Sequence, residues 1–308
     1  MSTRQPSTAS RTVGVIGLGQ MGRGIALNLD KKERLAALWD VRPESANGFS
    51  SAVAFAPPNR MAEQCEVVIF VVPSSKEIEA CLSGPQGLLA ADRRGQVIID
   101  LTTSDPQETG RLVKIARDRG RDYLDAGISG GAVGADAGML TLMFGGDAAT
   151  LDRCRPMLDA IATRIFHVGP SGAGHTMKLI HNMVCHANFF VLSEAGRLAA
   201  RAGIDLKPMI DVINAGNARS YISEARFPNH ILSGKFDGRS RVANLAKDLG
   251  MAADLAADLG RPGVFGPLTA SLLDRAMNEG MGERDFTTLY LEMDRLLEAE
   301  RMARGQSK

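Results

Sequence analysis

The chain has 308 residues, of which 44% are hydrophobic and 23% charged, proportions that exclude a wholly disordered protein. Its 36 Lys and Arg against 35 Asp and Glu leave a formal net charge of +1, which argues against a broad nucleic-acid surface and leaves small molecules as partners. The aromatic content of 5% gives stacked-base recognition little support, and the longest apolar strip, 67–72, is far below the roughly 20 residues that cross a bilayer.

In chain order, residues 1–10 are polar, carry Pro6 and lack an apolar signal core, so a frayed leader on a cytoplasmic protein is expected. Short β-branched runs then alternate with helical stretches, and candidate strands fall at 12–17, 35–41, 66–72, 96–101, 121–126, 139–144 and 164–168. Such alternation implies crossover units and a mostly parallel sheet with helices on both faces. The later strands are closely spaced and are able to pair antiparallel at one edge. After the run Gly169-Pro170-Ser171-Gly172-Ala173-Gly174 the pattern turns helical, punctuated by Gly203, Pro208, Gly216, Pro228, Gly234, Gly260, Pro262 and Gly280.

The expected architecture is an α/β, doubly wound Rossmann domain over 11–170, followed by an all-α C-terminal domain over 171–308. A long interdomain helix from Gly174 to about Ala202 joins them; at about 1.5 Å per residue it exceeds roughly 40 Å. One of its faces carries Ile180, Met183, Val184, Ala187 and Val191, while Lys178, His181 and Asn182 project on the other. Alanine- and leucine-rich helices such as 243–259 need a surface to cover them, which points to a homodimer or homotetramer. The four cysteines, Cys65, Cys81, Cys154 and Cys185, are far apart and read as packed or surface thiols.

The first chemical signal is Gly17-Leu18-Gly19-Gln20-Met21-Gly22, a GxGxxG between a strand and a helix. Gly17 permits the tight turn, Gly19 lets backbone approach a pyrophosphate, and Gly22 lets helix and strand pack closely. The helix N-terminus supplies amide donors to the anion. Asp40 ends the second strand, 18 residues after Gly22, where an acid accepts from the adenosine ribose hydroxyls and repels a 2′-phosphate. Arg42 is placed to pair with such a phosphate, so NAD is favoured over NADP without excluding it.

These features, together with Asp125-Ala126-Gly127-Ile128-Ser129-Gly130-Gly131, the run from Gly172 through Lys178 to Asn182, and Lys247-Asp248-Leu249, resemble the β-hydroxyacid dehydrogenase family. That family includes 3-hydroxyisobutyrate dehydrogenase, tartronate semialdehyde reductase and relatives of 6-phosphogluconate dehydrogenase. The resemblance covers about residues 11–301 and implies an NAD(P)-dependent oxidoreductase whose active site lies in the cleft between its two domains. It implies that Val72, Pro73 and Thr103 sit beside the cofactor, and that Ser129, Gly130 and Gly131 bind the substrate carboxylate. Lys178 becomes the catalytic lysine, Asn182 a substrate ligand, and Lys247 a second lysine near the nicotinamide. The chain departs from the common family pattern in three places. Gly127-Ile128 stands where Pro-Val is usual, His181-Asn182 where Asn-Asn is frequent, and Arg239-Ser240 where Gly-Phe is common.

The chemistry needs such a set. Hydride leaves an alcohol carbon as its hydroxyl proton departs, so a proton donor and acceptor must stand beside the alcohol oxygen. Lys178 serves where desolvation or a neighbouring cation, for which Lys247 stands, favours its neutral form. Bare amides of Ser129-Gly130-Gly131 can converge on a carboxylate, and Asn182 lies one helical turn from Lys178. His181 matches a substrate-contacting histidine of the 6-phosphogluconate branch. His167, His175, His186 and His230 lack metal-ligand spacing and read as structural or exposed. Arg219 either answers a second anionic group or is a surface arginine. The expected activity interconverts a small 3-hydroxy carboxylic acid and its semialdehyde or keto form. The alternatives are a decarboxylating 6-phosphogluconate-type dehydrogenase, an imine reductase, against which Lys178 counts, and a catalytically silent cofactor-binding scaffold.

Overall fold

The computed structural model describes residues 11–261 and 263–306; residues 1–10, expected as a leader, lie outside the described residues. Eight strands form one sheet: β1 (Val13–Ile16), β2 (Leu35–Trp39), β3 (Ala54–Phe55), β4 (Val67–Phe70), β5 (Val97–Asp100), β6 (Asp122–Ser129), β7 (Leu140–Gly145) and β8 (Ala162–Gly169). Their order is β3-β2-β1-β4-β5-β6-β7-β8. The chain reverses direction across the sheet between β1 and β4, which marks the crevice at their C-terminal ends as the ligand-binding place in such sheets.

β1, β4 and β5 are buried at every position because helices cover both faces, so they read as continuous apolar runs. Alternate side chains feed two cores. Val13, Val15, Ile69 and Ile99 enter one, and Ile16, Val68, Phe70 and Ile98 enter the other. Of the seven expected strands all form. The addition is β3, two exposed residues paired to β2, too short to leave a periodic signal. The edge pairing is mixed: β6 and β7 run antiparallel, whereas β8 is parallel to β7. The reason is α6 (Ala148–Leu158), a helix that carries the chain back between β7 and β8.

The preceding helices of this part are α1 (Gln20–Lys31), α2 (Pro58–Gln64), α3 (Ser75–Leu82), α4 (Pro106–Asp118) and α5 (Gly131–Ala137). Side-chain caps start several of them: Ser74 accepts from Lys76 N–H, Asp105 from Gln107 N–H ahead of Pro106, and Asp147 from Thr150 N–H. The long α7 (Ala173–Arg201) follows β8 and stops before Gly203.

The contacts divide the chain into two units that meet in sequence after Lys178. The second holds most of α7, then α8 (Leu206–Ala215), a π-helical segment (Ile222–Leu232) around Pro228, α9 (Val242–Asp258), α10 (Phe265–Asn278) and α11 (Leu289–Gln306). Its core is aromatic, with Phe189 edge-on to Phe286 at 5.1 Å and Phe227 edge-on to Tyr290 at 5.7 Å. Phe189 and Phe190 decide which side of α7 turns inward. As a result the aliphatic stripe of Ile180, Val184, Val191 and Leu198 is exposed, at 44%, 53%, 62% and 68%. Polar Asn182, on the side of the helix away from that stripe, is buried. Among the described residues no helix is long and apolar enough to cross a membrane.

Candidate active site

The glycine loop is built by close approaches. Gly17 has φ +92°, and a Cβ there would lie 2.3 Å from the Val71 carbonyl oxygen. A Cβ on Gly22 would lie 1.9 Å from Gly17 O, so α1 rests directly on the end of β1. At Gly19 a Cβ would meet no protein atom within 4 Å, which leaves this backbone approachable by a phosphate. Gly19 also starts α1 without a side-chain cap, so the first-turn amides keep their affinity for an anion. Gly19 and Gln20 are exposed, Met21 is half-buried, and Leu18 is buried in the core. The cradle therefore fits a dinucleotide pyrophosphate.

Asp40 is tied to that loop. Its Oδ2 accepts from Leu18 N–H at 2.8 Å, and its Oδ1 accepts from Arg42 N–H at 2.9 Å and Arg42 Nε–H at 3.3 Å. Burial opposes the charge, but these backbone and guanidinium donors outweigh it and hold the carboxyl below the ordinary aspartate value of 3.8. The Arg42 side chain, itself exposed, turns back onto Asp40. At the ends of β4 and β5, Val72 N–H donates to Thr102 Oγ1 at 3.4 Å and Thr102 N–H donates to Asp100 Oδ1 at 2.8 Å. Pro73 is exposed and Thr103 half-buried on these two loops.

The start of α7 lies on the antiparallel β6–β7 pair through glycine. A Cβ on Gly174 would sit 2.5 Å from both Asp125 O and Met143 O, and one on Gly145 would sit 2.7 Å from Gly174 N. A Cβ on Gly127 would sit 2.6 Å from the Cβ of Lys178. The backbone of β6 thus touches the root of the lysine side chain. Two residues on, β6 runs into Ser129, Gly130 and Gly131, whose glycines have φ +126° and +61°. Only glycine adopts both angles without strain, and the resulting turn exposes bare backbone.

Behind this seam lies a buried polar network that sequence reasoning missed. Asp125 Oδ1 accepts from Gly172 N–H at 2.7 Å and Oδ2 from His175 N–H at 3.0 Å, so a strand carboxylate caps the first turn of α7. The His175 ring reaches Thr109 Oγ1 at 2.7 Å through Nδ1 and Asp100 O at 3.3 Å through Nε2. Tyr123 O–H donates to Asp100 Oδ2 at 2.8 Å. Burial pushes the Asp100 carboxyl up, against the pull of His175, Thr102 and Tyr123. His175, expected to be structural or exposed, is wholly buried. His167 is exposed, with Nε2 on Gly146 O.

In the second unit, Asn182 Nδ2–H donates to Asp248 Oδ2 at 2.7 Å, which fixes the amide's orientation. His181 Nδ1 lies 3.3 Å from Asn182 Oδ1, and Lys247 Nζ lies 3.6 Å from Asp248 Oδ1. Asp248 thereby gathers Asn182 and Lys247 on two helices. Its place beside Lys247 in the sequence was visible, but its grip on Asn182 was not. Arg219 is exposed ahead of the π-helical segment.

Residues 12–169 match the family model described as the NAD binding domain of 6-phosphogluconate dehydrogenase. Residues 172–292 match that described as NAD-binding of NADP-dependent 3-hydroxyisobutyrate dehydrogenase. The 2-(hydroxymethyl)glutarate dehydrogenase of Eubacterium barkeri is 31% identical over 90% of this chain and 93% of its own. The NAD-dependent L-serine dehydrogenase of Pseudomonas aeruginosa is 32% identical over 92% of this chain and 98% of its own. Among solved structures, Mycobacterium tuberculosis 3-hydroxyisobutyrate dehydrogenase with L-serine is similar at a TM-score of 0.84 and 28% identity, covering 92% of this chain and 99% of that one.

Proposed function

This chain belongs to the β-hydroxyacid dehydrogenase family, and from that premise we propose that it oxidises a small 3-hydroxy carboxylate, or reduces the matching semialdehyde, with Lys178 moving the alcohol proton. Its reaction class is NAD(P)-dependent hydroxyacid oxidoreduction. The observation that carries the proposal is the contact of Gly127 with the root of Lys178, two residues before the Ser129-Gly130-Gly131 turn. One strand end thus serves both the proton-transfer group and a turn suited to a carboxylate, which favours a short substrate.

NAD(P), when bound, supplies the hydride acceptor or donor. In oxidation, Lys178 Nζ takes the hydroxyl proton as the carbon loses hydride; in reduction it returns that proton to the carbonyl oxygen. The amides of the 129–131 turn hold the substrate carboxylate. Asn182, its amide oriented by Asp248, steadies a substrate oxygen, with His181 beside it. Gly17 to Gly22 hold the pyrophosphate, and Val72, Pro73 and Thr103 flank the nicotinamide. The test is a panel of 3-hydroxyisobutyrate, 3-hydroxypropionate, glycerate, threonate, serine, 2-(hydroxymethyl)glutarate and 6-phosphogluconate with NAD and NADP. Lysine-dependent turnover of a small acid supports the reading. Turnover of 6-phosphogluconate alone overturns its substrate class.

NAD is the preferred cofactor in this reading, because Asp40 presents a carboxylate to the adenosine ribose and draws Arg42 onto itself. Asp40→Asn is expected to weaken NAD about tenfold and to raise NADP use relative to NAD, read as the ratio of kcat/KM values; an unchanged ratio would assign the preference elsewhere. The same carboxylate stabilises the fold. Its folded value lies below 3.8, so that stabilisation is fully present above this pH and is lost as pH falls through the folded value. The urea-midpoint gap between wild type and Asp40→Asn should therefore stay level above about pH 5 and close in acid.

A second copy of the chain is proposed to cover the exposed Ile180–Val184–Val191–Leu198 stripe. Light scattering is expected to give a mass of two or four chains, and a monomer would remove this part of the reading. The described cysteines are all free, in keeping with a cytoplasmic setting.

A further inference from the structure

We propose that His175 is a positioning residue for Lys178: with Asp100 and Thr109 it locks the rotation of the first turn of α7. The proposal rests on Lys178 as the proton-transfer group. His175, Asp100 and Thr109 are each wholly buried. Around the ring, Thr109 Oγ1 lies on Nδ1 at 2.7 Å, and Nε2 lies 3.3 Å from Asp100 O and 3.9 Å from Asp100 Oδ1. With Nε2–H donating to Asp100 O, Nδ1 accepts from Thr109 O–H, whose oxygen also lies 3.0 Å from Asp105 O. One ring therefore joins three segments: the end of β5, the first turn of α4 and the first turn of α7. The His175 backbone is held separately, by Asp125.

An apolar side chain would fill this space without desolvating polar groups. What it lacks is direction. Hydrogen bonds at opposite edges of the ring resist rotation of the helix about its axis, whereas an aliphatic contact slides. Lys178 follows His175 by three residues and so lies one turn along on the same side. At a side-chain radius of about 5–6 Å, a 10° rotation moves its ammonium on the order of 1 Å, a displacement that costs roughly 10²-fold in rate. Asp100 also receives Thr102 N–H, and Thr102 Oγ1 receives Val72 N–H. The loops assigned to the nicotinamide and the turn carrying Lys178 are thus set from one buried residue, which registers the hydride path against the proton path.

The experiment compares full-length wild type, His175→Leu, His175→Gln, Thr109→Val and Lys178→Ala. Steady-state kinetics with a deuterated alcohol are run beside acylation of Lys178, followed by peptide mass spectrometry. Exposed Lys114 and Lys207 serve as internal references. His175→Leu is expected to lower kcat about tenfold or more with KM and NAD affinity near wild type, to raise the primary isotope effect, and to change Lys178 acylation relative to Lys114 by about twofold. His175→Gln should recover part of the loss, and Thr109→Val should move every readout in the same direction. A merely structural histidine would lower the melting temperature and leave the isotope effect and Lys178 labelling unchanged; that result overturns the proposal. If His175→Leu does not fold, Thr109→Val decides alone by the same readouts. Wild-type turnover that survives Lys178→Ala would instead refute the proton-transfer assignment, while the labelling still decides whether His175 positions the lysine.

Discussion

Lys178→Ala should lower kcat by about 10²- to 10⁴-fold while NAD(P) affinity stays near wild type. The asymmetry follows from where the residues lie. The dinucleotide cradle is made by Gly17 to Gly22 and Asp40, whereas Lys178 stands on α7, rooted against Gly127 of β6. Removing the amine leaves the cradle intact and deletes the group proposed to exchange a proton with the alcohol oxygen. Cofactor titration by protein fluorescence and single-turnover reduction by stopped flow separate the two quantities. A parallel fall in both would mean that the lysine acts through cofactor binding. Wild-type turnover in the variant would refute the lysine as the proton-transfer group, and the silent-scaffold alternative would require instead that the wild type bind NAD(P) and turn over no hydroxyacid.

Gly127→Ala is expected to cost about 10- to 100-fold in kcat and about 1–3 kcal/mol of stability. The added methyl would stand 2.6 Å from Lys178 Cβ and 3.1 Å from Gly174 O. Neither is the far end of a flexible side chain, so relief requires α7 to lift from β6. Because Gly174 and Gly145 already bring backbone against backbone along this seam, there is no slack on either side. Gly110→Ala in α4, where a Cβ meets nothing within 4 Å, is the control and should be neutral or stabilising by up to about 1 kcal/mol. Kinetics and urea unfolding on both variants check the pair. Full activity in Gly127→Ala would show that Lys178 tolerates displacement, and would remove the steric argument for its placement.

The substitution bears on what the sequence departs from. Proline is common in the family at the position of Gly127, and here its ring would occupy the place of the Lys178 root. In this chain the glycine leaves room for the helix to rest on β6 at that point. Such packing cannot be read along the chain, because Gly127 and Lys178 are 51 residues apart. Other features were legible because they are local or periodic. The GxGxxG run, the spacing to Asp40 and the strand alternation all follow from neighbouring residues. β3 escaped because two exposed residues carry no period. The side of α7 that turns inward escaped because Ile180 and Val184 are as apolar as the residues that are buried. Only packing of Phe189 against Phe190, Phe227 and Phe286 decides between them. The His175 network is illegible for a deeper reason. Its partners are 66 and 75 residues away, and a single histidine, threonine or aspartate looks the same exposed as buried.

Asp40 joins the proposed adenosine side of the cradle to its pyrophosphate side, since one carboxylate holds both Leu18 N–H and Arg42 N–H. Removing the acid is the direct way to admit a 2′-phosphate, but here the same change releases a backbone amide of the glycine loop. A lineage drifting toward the other dinucleotide therefore has an uneven path. Asparagine keeps an acceptor for Leu18 and is a passable intermediate, whereas alanine or glycine trades selectivity against a loosened loop. If Asp40 sets the choice of coenzyme as proposed, that choice is coupled to the rigidity of the loop, and an engineer seeking to alter one must rebuild the support of the other.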